Sequence, residues 1–410
     1  MIKKIAVCAA IVIFANLFSF GAVIRVLLAD NLSSAAISSV SGIKILVGEA
    51  YITLTEKSSP ITVTPYQNKL MYTCEDKTVD SGGTSFVFAP LSGGLKDDEA
   101  PLIKADINPA KKYNTYRGAI EVHINKDGKI MLINKVDLDE YLYSVVAAEI
   151  GSSQPDEALK TQAVAARSYA AAKIGRYLTQ KFDVYDTVMS QVYNGYLYET
   201  SSTVKAVKDT LNEVLYDKNN KIVDAMFFST CGGFTETASN GAHYLVSVND
   251  CGAERPKNEE EWKKYYTGSF DGNCNHPNTS FAAHYRWTKT FTFAEFTEKF
   301  PQKTTTGNVI GFNILKREPG GRVSSLEVVG TLGKITINGD SNIRKLFFDL
   351  KSSGIVIVSS NDKNSFTIYG AGYGHGLGMC QVGAIGQAKK GRDYKEILLS
   401  YYQGAVIKQF

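Results

Sequence analysis

The chain has 410 residues, with 45 Lys or Arg and 41 Asp or Glu, so its formal net charge at pH 7 is only +4. This near balance, without a long basic run, argues against a protein that binds nucleic acid. Hydrophobic residues make up 44% of the chain and support a full core, and the length allows one large domain or two modest ones.

The N-terminus carries a mostly apolar run, Ile5 to Ile24, which follows two lysines. Its length suffices to cross a bilayer, so residues 1–24 are predicted to be a membrane anchor or an export signal. Phe20 makes a poor cleavage site, which favours an uncleaved anchor. Residues 25–410 would then be one domain on the outer side of the cytoplasmic membrane, or a secreted one if the run is cleaved.

Strand signals dominate the next part of the chain. Alternating apolar residues with glycine-containing turns predict strands over 24–28 and 39–59, and a hairpin over 116–136. Residues 68–113 are irregular and rich in turn formers, and are predicted to be a looped insertion. Short helices follow the hairpin, so we expect an α+β fold with mixed, largely antiparallel strands.

A short helix after the hairpin carries the first candidate for catalysis. Asp137 and Glu140 are spaced as a capping box, which predicts a helix over about 138–150. The apolar stripe of this helix consists of Leu138, Leu142, Val145 and Val146. Glu149 falls on the same stripe and at the C-terminal end, where burial and the helix dipole both raise a carboxyl pKa. Such a group is suited to be a general acid, although a boundary residue or a partner of an arginine is the alternative.

A second helix is predicted directly afterwards, with Ser153 as its N-cap and Gly175 as its C-terminal glycine. Its small-residue face would let a neighbouring element approach closely. Gln162 and Arg167 are the polar residues within it. If Arg167 paired with Glu149, it would lower the pKa of that carboxyl and weaken it as an acid.

A glycine-rich segment near the C-terminus has glycines at every second position from 370 to 378, around His375. The spacing does not satisfy the dinucleotide-binding fingerprint. Dense glycine instead predicts backbone that passes close to a ligand or another strand, or a tight turn on the sheet.

The motifs of these segments together resemble those of the stage II sporulation protein D family, which also includes amidase enhancers of the LytB type. The resemblance is carried, in order, by VDLDEYLYSVVAAEI, PDEALKTQAVAARSYA, DTVMSQVYNG, FFSTCGGFTET, YLVSVND and GYGHGLGMCQVGA. It spans nearly the whole chain after the N-terminal run.

The resemblance implies a lytic transglycosylase that cleaves the MurNAc-GlcNAc bond of peptidoglycan strands free of stem peptides, acting in engulfment during sporulation. It also implies membrane anchoring and partnership with stage II sporulation proteins P and M. The family's catalytic glutamate falls on Glu149. The C6 hydroxyl of muramic acid would be the nucleophile and give a 1,6-anhydro product, so the chemistry requires no cofactor.

Five side chains are candidates for contacts with the sugars or for orienting the acid: Arg167, Gln191, Tyr193, His375 and Gln381. Three other functions stay open at this point. The protein could be a non-catalytic, glycan-binding amidase enhancer, a membrane-tethered scaffold, or an ordinary hydrolase that leaves reducing muramic acid ends.

A structural zinc site is one possible role of the cysteines. Some family members hold zinc through a cysteine matching Cys231 and a histidine five residues later, but this chain has Glu236 there. Cysteine and glutamate can both bind zinc, but two ligands make an incomplete site. His243, Cys251 or Cys380 would have to complete it. A buried thiol at Cys231 and a Cys231–Cys380 disulfide are the alternatives. A disulfide between Cys251 and Cys274 would staple a polar loop, and the alternative is that all the cysteines are reduced thiols.

Overall fold

The structure, a computed structural model, describes residues 22–47, 50–54, 60–74, 77–80, 83–91, 101–107, 114–176, 178–268, 270–276 and 282–410. The predicted anchor lies outside these ranges except for its last three residues, two of which belong to the first strand. No helix within the described ranges has the length and apolar character to cross a membrane. Helices and largely antiparallel strands are mixed along the chain, which confirms the predicted α+β class.

Two antiparallel sheets occupy the N-terminal part of the chain. Their strands are β1 (Val23–Leu32), β2 (Ala35–Ser38), β3 (Ile43–Val47), β4 (Ala50–Leu54), β5 (Ile61–Tyr66), β6 (Lys69–Cys74), β7 (Lys77–Asp80), β8 (Ser85–Pro90), β9 (Ile103–Asp106), β10 (Thr115–Tyr116), β11 (Ala119–Ile124) and β12 (Ile130–Asp137). One sheet has the order β1-β12-β11-β8-β3-β4 and the other β10-β9-β2-β5-β6-β7. Apolar residues from both sheets form one core, as expected for strands that alternate buried and exposed side chains.

The segment 68–113 differs from its prediction as a looped insertion. Its described parts contain β6, β7, β8 and β9, and β8 lies inside the first sheet between β3 and β11. Phe86 and Phe88 of β8 are buried in the shared core. These strands are only four to six residues long, so turn formers between them dominate the composition and conceal the alternation.

Three helices follow the sheets: α1 (Leu138–Ile150), α2 (Asp156–Ala171) and α3 (Ser201–Asp209). The bounds of α1 match the prediction, because Asp137 accepts hydrogen bonds from the first-turn N–H groups. The predicted N-cap of α2 is wrong: the cap is Pro155, whose extended backbone leads directly into the helix. Gly175 lies beyond the end of α2, where its positive φ of 75° turns its N–H to Asp183.

The rest of the chain adds short elements around these helices. They are β13 (Val184–Tyr185), β14 (Glu213–Tyr216), β15 (Phe227–Phe228), α4 (Glu259–Thr267), α5 (Ala282–Tyr285), β16 (Arg286–Thr292), α6 (Phe293–Lys299), α7 (Lys303–Thr306), β17 (Val309–Arg317), β18 (Val323–Gly330), β19 (Lys334–Asn338), α8 (Asp340–Leu346), β20 (Ile355–Ser359), β21 (Ser365–Ala371), β22 (Met379–Cys380), α9 (Gln381–Lys389), α10 (Tyr394–Tyr401) and β23 (Val406–Gln409).

Two parallel pairings and the packing of α2 bring distant segments together. β13 extends the first sheet beside β1, and β15 pairs with β22, while β14 pairs antiparallel with β23. The sheets β16-β21-β20 and β17-β18-β19 enclose a separate, aromatic-rich core. Helix α2 contacts α1, α3, α9 and α10. The C-terminal end of α1 meets the start of α9, where Gln381 donates to the backbone carbonyl of Glu149.

Candidate active site

Glu149 lies in the last turn of α1 and is partly buried. The backbone N–H of Val192 donates to its Oε1 at 2.8 Å. Gln381 Nε2 donates to the backbone carbonyl of Glu149 at 3.1 Å and lies 3.5 Å from its Oε2. Burial raises the pKa of Glu149 above its usual value, although the hydrogen bonds from Val192 and Gln381 oppose the shift. This carboxyl therefore holds a proton to higher pH than an ordinary glutamate.

The loop that supplies the Val192 N–H is fixed by buried polar side chains. Gln191 accepts a hydrogen bond from Tyr141 at 3.2 Å and donates to a backbone carbonyl of α2 at 3.3 Å. Tyr193 donates to Asn134 at 2.8 Å. Gln191 and Tyr193 were predicted to contact sugars or to orient the acid, and both are buried. Their hydrogen bonds anchor the loop, and the loop in turn positions the Val192 N–H that donates to Glu149.

Gln381, also predicted, does lie beside Glu149. It is the first residue of α9, and its Nε2 is 3.4 Å from the Oε1 of Gln162 on α2. Gln162 is fully buried, and no group within the described ranges accepts a hydrogen bond from its Nε2. The two amides therefore form the wall of the site next to the acid. The sequence signal for Gln162 was a polar side chain amid the small residues of α2.

Arg167 is not at the site, which corrects its prediction as a substrate contact. Its guanidinium is 1% exposed and donates to the Asp139 carboxylate at 2.7 Å and to the carbonyls of Val207 and Glu213. The ion pair joins α2 to α1, and the hydrogen bonds to the two carbonyls join α2 to α3 and β14. Arg167 does not pair with Glu149, so it does not depress the pKa of that carboxyl.

His375 lies in the glycine-rich segment with both ring nitrogens occupied. Its Nε2 donates to the Phe227 carbonyl at 3.1 Å, and its Nδ1 accepts from the Leu377 N–H at 3.0 Å. Burial and the nearby Arg322 lower the pKa of His375 to about 4, so the ring is neutral near pH 7. His375 was predicted to contact sugars or to orient the acid, and in the structure its ring holds the segment against β15.

The alternating glycines serve a close approach between backbones. Gly378 has φ of 75°, and a Cβ there would lie 2.0 Å from the carbonyl oxygen of Met226. Gly372 has φ of 81°, and a Cβ on this residue would lie 2.6 Å from the carbonyl oxygen of Thr230. Of the alternatives left open by the sequence, the structure therefore favours packing against another strand.

A second cluster of polar groups is buried behind β22. The ligand atoms of Cys231, Asp250, Cys274 and Cys380 all lie within 4.8 Å of one another. Such a set can hold a metal ion, and Cys380 does converge with Cys231 as the predicted site required. Asp250 and Cys274 were missed, since their approach depends on contacts distant in sequence.

The other metal candidates lie elsewhere. Glu236 is buried, and its carboxylate accepts the N–H groups of Gly320 and Arg322, both at 2.8 Å. Cys251 has its sulfur 3.4 Å from the Tyr265 hydroxyl, and it is a free thiol. Of the alternatives open for Cys251 and Cys274, the structure has the free thiols and not the disulfide, because Cys274 faces Cys231.

Two family models match the chain. The model described as stage II sporulation protein matches residues 126–216, the region that holds Glu149, Gln162 and the Val192 loop. A domain of unknown function, DUF8618, matches residues 240–378. Gln381 lies just beyond the second match.

Several curated proteins are similar over most of the chain. Stage II sporulation protein D of Bacillus subtilis is 31% identical over 68% of this chain and 76% of its own length. An uncharacterised protein of Brachyspira hyodysenteriae is 28% identical over 77% of this chain and 80% of its own length. The amidase enhancer of Bacillus subtilis is 28% identical over 66% of this chain but only 40% of its own length.

Proposed function

Because the chain belongs to the stage II sporulation protein D family, we propose that it is a lytic transglycosylase that cleaves peptidoglycan glycan strands during sporulation. The observation that supports this activity best is the environment of Glu149. Its carboxyl has a raised pKa and a close donor on Oε1, whereas the long contact with Gln381 is the only one that Oε2 makes among the described residues. Oε2 is therefore the oxygen suited to carry and release a proton.

In the proposed reaction, Glu149 gives its proton to the oxygen that links MurNAc C1 to GlcNAc. The C1–O bond breaks as positive charge develops on the muramic acid ring. The C6 hydroxyl of the same ring then attacks C1, and its proton returns to the ionised Glu149. One carboxyl thus serves both proton transfers, and the products are a 1,6-anhydro end and a free GlcNAc 4-hydroxyl.

The contacts of Glu149 match both halves of this cycle. Burial favours the protonated acid before cleavage. The Val192 N–H and the Gln381 amide stabilise the carboxylate once the proton has left. The proposal needs no metal at the reacting bond. It includes anchoring at the outer face of the cytoplasmic membrane, with stage II sporulation proteins P and M as partners.

A second candidate function is glycan binding that enhances a partner amidase. It is favoured by the similarity to the amidase enhancer of Bacillus subtilis. In that case Glu149 would accept hydrogen bonds from sugar hydroxyls without cleaving the strand.

Mass spectrometry of products from purified, peptide-free glycan strands tests the proposal. We expect 1,6-anhydroMurNAc ends from the wild-type chain and a rate lowered by about 10²- to 10⁴-fold in Glu149→Gln. Glu140→Gln, on the same helix, is the matched control and should retain turnover. Reducing MurNAc ends would indicate a hydrolase. Strands that bind but stay intact, with stimulation of an added amidase, would favour the enhancer.

A further inference from the structure

We propose that Cys231, Asp250, Cys274 and Cys380 bind one Zn²⁺ ion, which joins the DUF8618-matched region to the strand pair that leads into Gln381. This ligand set differs from the Cys231 and Glu236 pair suggested by the family resemblance. The proposal does not depend on the transglycosylase activity, because it concerns how the chain is held together.

The distances suit a tetrahedral ion. Cys231 Sγ lies 3.4 Å from Cys274 Sγ and 3.3 Å from Asp250 Oδ2, and all four ligand atoms lie within 4.8 Å of one another. A tetrahedron with Zn–S bonds of about 2.3 Å has S···S edges of about 3.8 Å. All four residues are buried, which matches a structural site closed to solvent rather than a catalytic one.

Backbone N–H groups around the cluster point at sulfur. Gly233 donates to Cys231 Sγ at 3.3 Å, and Gly383 donates to Cys380 Sγ at 3.2 Å. The N–H of Cys231 also donates to Cys380 Sγ, at 3.1 Å. Donors aimed at sulfur stabilise thiolate over thiol, and thiolate is the form that binds zinc.

The two oxygens of Asp250 are divided between support and ligation. Oδ1 accepts three hydrogen bonds, from Asn273 at 2.9 Å, from Gln387 at 3.2 Å and from Tyr401 at 2.9 Å. Oδ2 is turned toward Cys231 Sγ. A carboxylate fixed through one oxygen with the other aimed at a cluster of sulfurs has the arrangement of a supported metal ligand.

Glu236 does not compete for the ion. Both of its oxygens accept backbone N–H groups, and Oε1 lies 3.9 Å from the Arg322 guanidinium. A Cys231–Cys274 disulfide is the rival arrangement for the cluster. The disulfide would use two of the four ligand groups. Cys380 and Asp250 would then stay buried next to it with their hydrogen-bond donors but with no cation between them.

The ligands come from four separate segments of the chain. Cys231 follows β15, and Cys380 ends β22 and caps α9, whose first residue is Gln381. Asp250 and Cys274 belong to the DUF8618-matched region. An ion bound to all four would fix the start of α9, and with it the amide that contacts Glu149.

Metal analysis of the full chain, purified under reducing conditions and reconstituted with ZnSO₄, tests the proposal. We expect one Zn²⁺ per chain by inductively coupled plasma mass spectrometry. Replacement by Co²⁺ should give sulfur-to-cobalt charge-transfer absorption and the visible bands of a tetrahedral site. Cys274→Ser and Asp250→Asn should lose stoichiometric zinc, whereas the matched controls Cys251→Ser and Glu236→Gln should retain it.

Three results would overturn the proposal. They are a folded wild-type chain that takes up no zinc, a Cys231–Cys274 disulfide in the unreduced protein, and zinc loss in the controls but not in Cys274→Ser. Should Cys274→Ser fail to fold, the cobalt spectrum of the wild type still decides whether thiolates bind the metal. Protection of Cys231, Cys274 and Cys380 from alkylation, lost on chelation, then identifies the ligands.

Discussion

Glu149 and Asp250 are two carboxyls whose pKa values are raised by burial, and their surroundings differ in how hydrogen-bond donors are distributed. Asp250 is 2% exposed, and burial with the nearby Cys274 raises its pKa to about 7, although three side chains donate to one of its oxygens. Glu149 is less buried and has one close donor, from the backbone. Burial alone therefore does not define a role. A partly buried carboxyl with one close donor suits proton transfer, and a tethered carboxyl beside thiols suits a cation.

The regions around the two carboxyls also differ in what holds them together. The helix that carries Glu149 is joined to its neighbours by contacts within the protein, including the buried Arg167–Asp139 ion pair. The Cys231 cluster gathers acidic groups whose mutual repulsion a bound cation would relieve. The region of Glu149 should therefore be stable without metal, whereas the cluster should not.

The largest expected effect concerns the ion pair. Arg167→Met should lower the free energy of unfolding by about 3–5 kcal/mol, because the buried carboxylate of Asp139 loses its counter-charge. Urea denaturation should show the same loss with and without a chelator. The double variant Arg167→Met/Asp139→Leu should recover much of it. A loss below about 1 kcal/mol, or one seen only with the chelator, would contradict the expectation that contacts within the protein hold the region of Glu149 together without metal.

A smaller effect is expected at the amide beside the acid. Gln381→Ala should reduce turnover on glycan strands by about tenfold, the equivalent of one hydrogen bond to a charged group. That hydrogen bond lowers the pKa of Glu149, so its removal should move the alkaline limb of the rate profile to higher pH. Gln403→Ala, on the exposed surface, is the control. Reduced turnover with an unchanged pH profile would mean that Gln381 positions the start of α9 and does not act on the pKa of Glu149.

The smallest expected effects are opposite pH slopes of stability. The folded-state pKa of Glu149 is raised, so its contribution is present below the unfolded pKa and is lost as pH rises through the folded one. The pKa of His375 falls from 6.5 to about 4, so its contribution is lost as pH decreases from 6.5 toward 4. Unfolding free energies from pH 4 to 8 should show Glu149→Gln removing the first slope and His375→Gln the second. Unchanged slopes in both variants would refute the assignments.

Local signals made the helix of Glu149 predictable. The Asp137 cap and the apolar stripe lie within one 13-residue helix, so the bounds and the position of the acid followed from the sequence. The strands within 68–113 were hidden because each is too short to show its period.

The partners of each polar side chain were harder to predict. Gln191, Tyr193 and Arg167 have the chemistry of sugar ligands, but burial by segments distant in sequence gives them internal partners instead. The convergence of Cys274 with Cys231 likewise depends on the tertiary fold. A sequence shows which groups can bind, whereas the packing decides what each one meets.

Glu149 and its amide donor Gln381 are 232 residues apart in the chain. On the ribosome, the acid emerges long before its partner, because synthesis runs from the N-terminus. The last strand, β23, completes its pairing with β14 later still. A nascent chain, or a copy clipped ahead of α9, therefore carries the acid without the group that contacts its last turn. The contact between Gln381 and the last turn of α1 can form only after α9 has been synthesised.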